Sequence, residues 1–298
     1  MGKEACKLYP DPMTQIAFIG FGEVAATFAR RGDIAYDVKT GDPEFAPEKW
    51  RDYERAGVKG SETAAEALAG ASFVMSLVTA GEALAAARNC SRCLAPGALW
   101  LDMNSVAPAT KQAARAIVED AGCHYLDIAI MAPVLPRGRA VPLLVSGIGA
   151  EAACAQLSSF GFPNARVAGS HVGDASAIKM IRSVMIKGVE ALTAECVLAA
   201  DRAGVTDAVL ASLDADGVAE RWSKRAGYNL GRMLVHGERR AAEMEEAART
   251  LMDLGIDPVM CRAAVLRQRE LGKIGGTGAV PDADLSAMLG TINQRKEG

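Results

Sequence analysis

Histidine is scarce in this 298-residue chain: three copies stand far apart at His124, His171 and His236. No HxxxH or HxH spacing occurs, so no metal centre is expected. Long apolar runs are missing as well, because nothing approaches the roughly 20 residues that a membrane span needs. The residues through Pro12 form a short polar tail that lacks the apolar segment of a secretory signal, and a cytoplasmic location follows. Nor is there an excess of one charge. A net charge of −3 with scattered lysine and arginine argues against a nucleic-acid surface. Seven cysteines make no even, closely spaced framework and are read as free thiols. Cys90 and Cys93 form one CxxC with no second pair or nearby histidine, and small apolar packing is the commoner use of cysteine.

What is present begins at Ile16, where an apolar strand runs through a glycine-rich turn into a helix pattern. That context makes the turn a dinucleotide-binding fingerprint. Gly20 permits the tight turn, Gly22 lets backbone approach a pyrophosphate, and Ala25 stands where a small residue lets helix pack on strand. Phe21, Glu23 and Val24 complete the turn, and the helix N-terminus receives the phosphate charge. A second apolar run over 34–37 follows the helix expected over 25–31 with its Gly32 stop, and it ends in an acid at the distance this fold expects. Asp37 is expected to bond the adenosine ribose hydroxyls and repel a 2′-phosphate, which favours NAD. Lys39 nearby weakens the exclusion of NADP. The alternative for Asp37 is a solvated turn aspartate.

With 50% hydrophobic content the chain can bury two modest cores. Strand and helix patterns alternate through the first half: strands near 73–78, 98–103, 124–130, 143–146 and 165–168, with helices over 81–92, 107–121 and 150–160. The fold class expected is α/β, an N-terminal Rossmann doubly wound sheet over 15–170 after the tail at 1–14. Beyond Gly169 the chain turns to long Ala, Leu and Met-rich segments at helical spacing. An all-α C-terminal domain over 171–298 is expected, joined by a long interdomain helix over 174–203, with later helices at 206–213, 218–234, 239–254 and 258–271.

Two further stretches carry chemistry. Asp102-Met103-Asn104-Ser105-Val106-Ala107-Pro108 follows a strand, and Gly169 to Lys179 brings a glycine-bearing approach to a lysine at the start of the long helix. In this order the motifs resemble the β-hydroxyacid dehydrogenase superfamily, which includes 3-hydroxyisobutyrate, tartronate semialdehyde and 6-phosphogluconate dehydrogenases. The resemblance covers nearly the whole chain and is nearest a less-characterised phosphogluconate-dehydrogenase-like branch. It implies that Asn104 and Ser105 lie beside the nicotinamide, although Ser105 also suits helix capping. Val78 and Thr79, at the end of the strand near 73–78, join the cofactor-side candidates. Lys179 inherits the catalytic role: partly desolvated, with its pKa lowered, it exchanges a proton with the substrate hydroxyl while hydride moves to the nicotinamide. The plain alternative is a lysine snorkelling from an apolar face.

Departures from the family pattern bear on the substrate. Ser183 stands one turn after the lysine, where the family usually has asparagine, and Lys187 follows a turn later on the same face. The family's D-x-P-V-S-G-G loop aligns with Asp127-Ile128-Ala129-Ile130-Met131-Ala132-Pro133, so the serine-glycine-glycine carboxylate cradle is missing. Met131, Ala132 and Pro133 make that loop greasier and poorer in N–H donors. Arg137 or Arg139 just beyond could supply a forked anion contact, or could simply form an exposed basic loop. Arg239 and Arg240 fall where the family carries a K-D-L-type segment, and their alternative is a solvated helix start. The implied activity is NAD(P)-dependent hydride transfer on a small 3-hydroxy acid or related secondary alcohol, by a homodimer formed through the helical domain. Imine reduction is a competing activity, against which Lys179 speaks, and a catalytically silent nucleotide-binding protein is the competitor from another class.

Overall fold

Residues Ile16 through Ile19 are all buried, as a strand covered on both faces requires. Their side chains alternate between two cores, Ile16 and Phe18 in one and Ala17 and Ile19 in the other. In this computed structural model, which describes residues 15–215, 220–276 and 284–296, that run becomes β1 (Ala17–Ile19). The tail expected at 1–14 lies outside the described residues.

The chain divides into two compact units, Met1–Lys179 and Met180–Gly298. In the first, β2 (Ile34–Tyr36), β3 (Lys59–Gly60), β4 (Phe73–Ser76), β5 (Leu99–Asp102), β6 (His124–Ile130), β7 (Leu143–Ser146) and β8 (Ala165–Gly169) join β1 in one sheet. Its order is β3-β2-β1-β4-β5-β6-β7-β8, parallel throughout except for the β6–β7 pair. The strand order reverses between β1 and β4, the switch point at which doubly wound sheets bind ligands beyond their strand ends. Among the described residues six α-helices accompany the sheet: α1 (Glu23–Phe28), α2 (Ala46–Ala56), α3 (Ala64–Leu68), α4 (Ala83–Ser91), α5 (Pro108–Asp120) and α6 (Ala150–Ser159). One core gathers Phe18, Phe28, Phe73, Phe160 and Phe162, and the other packs Ile19, Trp100, Val118 and Tyr125.

The second unit is helical among its described residues. It takes most of α7 (Asp174–Arg202), then α8 (Thr206–Asp214), α9 (Trp222–Asp253), α10 (Val259–Gly275) and α11 (Leu285–Lys296). No helix among the described residues is long and apolar enough to cross a membrane.

Several elements differ from the sequence expectation. The helices expected at 218–234 and 239–254 are continuous in α9, with no interruption over 235–238; positions 218 and 219 lie outside the described residues. Gly237 explains the continuity. A Cβ there would reach the Gln268 carbonyl oxygen and come within 2.6 Å of Gly272 Cα, so glycine lets α9 and α10 cross backbone against backbone. Gly275 repeats the approach against the Leu234 carbonyl. At the other end of the chain, α1 starts directly after Gly22 and stops at Phe28, short of the 25–31 span, because Asp33 takes the Arg30 N–H at 2.7 Å and turns the chain toward β2. The elements α2, α3, β3 and α11 lacked a sequence signal; α2 is mostly charged and reveals its inner face only through buried Lys49 and Tyr53.

Candidate functional site

The glycine turn closes the switch-point end of β1. Gly20 has φ +84, and a Cβ there would sit 2.5 Å from the Leu77 carbonyl oxygen, so both its backbone angle and its neighbour demand glycine. Phe21 is held at both polar atoms: its N–H donates to Asp37 Oδ2 at 2.8 Å, and its carbonyl accepts from Lys49 Nζ at 2.7 Å. Gly22 is the N-cap of α1 and offers no capping side chain. Nothing lies within 4 Å of where its Cβ would be. An open backbone face beside uncapped N–H groups fits a dinucleotide pyrophosphate. Glu23 is exposed and Val24 half-buried on the first turn of α1. Asp37 also accepts from the Lys39 N–H at 3.0 Å. A carboxylate has about four lone-pair positions, which leaves it room to accept ribose hydroxyls. The Lys39 ammonium lies 5.1 Å over the Phe45 ring.

A second group of candidates converges at the ends of β4 and β5. Asn104 Oδ1 accepts the Val78 N–H at 2.7 Å, and the Asn104 amide donates to Ser76 Oγ at 3.0 Å and to Asp102 Oδ1 at 2.8 Å. Next to it, Ser105 Oγ accepts from Lys179 Nζ at 2.5 Å. Four residues nominated from three separate motifs therefore form one connected group. Thr79 is exposed at the start of the following turn.

Beneath this group lies a charge cluster that the sequence did not disclose. Lys111, on the first turns of α5, is 0% exposed. Its ammonium donates to the Asp102 carbonyl at 2.6 Å and to Asp102 Oδ1 at 2.8 Å, and it pairs with Asp127 Oδ1 at 3.2 Å. Tyr125 donates its hydroxyl to Asp102 Oδ2 at 2.6 Å; burial above all, and then the Asp102 charge, push its pKa well above the ordinary phenol value. Asp127 Oδ2 accepts the N–H groups of Gly173 at 3.2 Å and Ser176 at 2.9 Å, placing a negative charge at the start of α7. Thr110-Lys111-Gln112 looks like a solvated helix face, which hides Lys111; the one available hint was an aspartate within each of two successive strand patterns.

The remaining candidates have other company. In the loop after β6, Met131 and Ala132 are half-buried and Pro133 exposed, with the Met131 N–H donated to the Pro142 carbonyl at 2.9 Å. Arg137 is exposed. Arg139 spends its fork on the Phe28 carbonyl, at 2.9 and 2.6 Å, and burial with nearby Arg30 lowers its pKa. On α7, Lys179, Ser183 and Lys187 recur every four residues on one helix face. Ser183 is buried. Within the second unit Lys187 pairs with Glu243 at 2.8 Å; burial lowers its pKa, and the Glu243 charge opposes that shift. Arg240 is buried against Glu190, which also accepts from Gln268 at 3.2 Å. Arg239 is exposed, 3.5 Å from Glu243. The glutamates that neutralise Lys187 and Arg240 were not foreseen.

Comparison with known proteins identifies the fold and its family. Residues 15–134 match the NAD binding domain of 6-phosphogluconate dehydrogenase, and residues 200–271 match a domain of unknown function, DUF1932. A conserved hypothetical protein from Sinorhizobium meliloti 1021 is 35% identical, with a TM-score of 0.71 over 95% of this chain and 97% of that one. A conserved protein of unknown function, described as structurally similar to 3-hydroxyacid dehydrogenases, is 32% identical with a TM-score of 0.66 over 87% and 97% of the two chains. Mycobacterium tuberculosis 3-hydroxyisobutyrate dehydrogenase shares the fold, with a TM-score of 0.69 at 19% identity over 94% and 99% of the chains. The chain belongs to the β-hydroxyacid dehydrogenase superfamily, in the branch that combines the 6-phosphogluconate-dehydrogenase NAD-binding domain with DUF1932, and is an NAD(P)-dependent oxidoreductase.

Proposed function

We propose that the protein interconverts a 3-hydroxy acid, or a related secondary alcohol, with its carbonyl compound, and that Lys179 exchanges the proton at the hydroxyl oxygen. The observation that carries this reading is the Lys179–Ser105 contact at the end of β5, beside Asn104 and Val78. When bound, the nicotinamide supplies the hydride acceptor or donor. In the oxidation the alcohol carbon loses hydride while its hydroxyl proton passes to a neutral Lys179 amine; in the reduction an ammonium returns that proton to the new alkoxide oxygen. Ser105, already within hydrogen-bond reach of Lys179, holds the amine toward the reacting oxygen. Ser183, one turn further along α7, orients that oxygen with a shorter reach than an amide has.

Asp37 selects NAD over NADP by accepting from the ribose hydroxyls and repelling a 2′-phosphate. The first unit serves as the cofactor domain and the second as the substrate and dimerisation domain. Exposed apolar residues on the helices, Met185 at 68% and Leu266 at 70%, support a homodimer. A monomeric mass in light scattering at micromolar concentration would overturn that assignment.

The test follows reduced-nicotinamide absorbance with a panel of 3-hydroxy acids and both NAD+ and NADP+. Lys179→Ala is expected to lose about a hundredfold or more of kcat while calorimetry shows NAD+ binding retained. Undiminished turnover in that variant would remove the lysine from the chemistry.

A further inference from the structure

Asp102, the last residue of β5, and Asp127, midway along β6, are register neighbours on adjacent parallel strands. Both are buried to 1% or less, and like charges so placed repel unless something neutralises them. Lys111 does so, since its ammonium touches both carboxylates. Each carboxylate then serves backbone. Asp102 accepts the Asn104 N–H at 2.9 Å, which fixes the loop carrying Ser105. Asp127 accepts from Gly173 and Ser176, which fixes the first turn of the helix carrying Lys179. Ser146 Oγ, donating to Asp127 Oδ2 at 3.3 Å and accepting the Ala175 N–H at 3.0 Å, braces the same turn. The contacts close a circuit: Lys111 to Asp102, through the 102–105 loop to Ser105, on to Lys179, back along α7 to Ser176, and through Asp127 to Lys111 again.

We propose that Lys111 is a positioning residue that sets the Lys179–Ser105 contact by clamping Asp102 and Asp127 together. This rests on the role of Lys179 argued above. The clamp draws the Ser105 loop and the start of α7 to one fixed separation. Without its charge the two carboxylates push apart, and the two sides of the Lys179–Ser105 contact part with them.

The experiment compares Lys111→Met, Asp127→Asn and their double variant with the wild type. Val118→Ala serves as control, a buried change on the same helix outside the circuit. Acylation of Lys179 by acetic anhydride, followed by peptide mass spectrometry, needs no substrate. Its rate is expected to rise about fivefold in both single variants, as local opening frees the amine, with exposed Lys39 and the Val118→Ala protein unchanged. On whichever panel hydroxy acid the wild type oxidises, kcat should fall about thirtyfold while the NAD+ dissociation constant stays within about threefold, because misplacement acts on the reacting group and the glycine turn is held by Asp37 and Lys49 instead. The double variant should show no further loss, as expected of two residues acting through one contact. Unchanged Lys179 acylation, or losses in kcat that add in the double variant, would overturn the proposal. If Lys111→Met does not fold, Asp127→Asn decides the question, since it keeps an acceptor for Gly173 and Ser176 and removes the charge that Lys111 meets. Should Lys179→Ala retain full turnover, the functional reading fails, yet the acylation result still reports on the clamp.

Discussion

In the first unit a single ammonium, Lys111, stands between two carboxylates that also accept backbone N–H groups, of Asn104 at Asp102 and of Gly173 and Ser176 at Asp127. In the second, the pairs run side chain to side chain: Arg240 with Glu190, Gln268 with Glu190, Lys187 with Glu243. Both clusters are buried, so both carry a desolvation cost. The difference lies in what the charge holds. Asp102 ends β5 and Asp127 lies midway along β6, and their carboxylates accept loop and helix-start N–H groups that no preceding helix turn can pair. In α7, α9 and α10 the backbone is already satisfied within each helix, so the ion pairs there set which side chains meet. A charge that serves backbone is hard to replace with a hydrocarbon, whereas a charge that serves another side chain is replaceable together with its partner.

The largest effects test that distinction directly. Arg240→Met strands the Glu190 carboxylate and should cost about 3–5 kcal/mol in denaturant unfolding, and Lys111→Met should cost a similar amount. The paired changes then separate the two clusters. Arg240→Met with Glu190→Met is expected to recover most of the loss, because both charges leave together and apolar volume replaces them. Lys111→Met with Asp127→Leu should recover little, since the N–H groups of Gly173 and Ser176 lose their acceptor. Equal recovery in both would erase the distinction.

The same contrast governs how much could be read in advance. The Gly20–Gly22 turn and the 29-residue span of α7 rest on local causes, a positive φ after a strand and an unbroken helical period, and both were legible. Lys179 and Ser105 could be nominated separately from their motifs, although nothing in the sequence says that they touch. Lys111 and Glu190 were illegible because their burial comes from strands and helix crossings far away in sequence. Gly237 falls between the helices expected at 218–234 and 239–254, and glycine inside a helix is about 1 kcal/mol worse than alanine. The close approach of Gly272 reverses that inference: the residue that weakens the helix on its own is the one that permits the crossing.

Gly237→Ala should accordingly destabilise by about 1–3 kcal/mol through overpacking, seen as a lower unfolding midpoint at unchanged slope. Alkaline pH gives a smaller and more graded comparison. Burial, with Cys93 adding, pushes the Cys90 thiol from 9.0 up to about 12. Above pH 9 the unfolded chain releases that proton and the folded one keeps it, so stability falls as pH rises from 9 toward 12, by up to about 1.4 kcal/mol per unit. Lys187 acts in reverse, because its lowered pKa makes the unfolded chain the better proton binder as pH climbs toward the ordinary 10.5. Hydrogen exchange between pH 8 and 10 should therefore show the Cys90 helix loosening before the Lys187 region, and Cys90→Ala should flatten the loss.

The smallest expected change in stability is also the most informative about function. Gly22 has φ −93 and ψ −165, angles open to any residue, and its Cβ direction is empty for 4 Å. Alanine there should cost the fold less than about 1 kcal/mol, the difference between glycine and alanine at an N-cap. The methyl would stand where the pyrophosphate meets backbone, so NAD+ affinity in calorimetry should drop by about tenfold or more, roughly 1.4 kcal/mol. Gly237→Ala should do the opposite, lowering the unfolding midpoint while leaving NAD+ affinity in the folded protein as it was. If Gly22→Ala binds NAD+ as the wild type does, the open face beside α1 is not the phosphate seat, and the glycine turn would be a fold device of the same kind as the α9–α10 crossing.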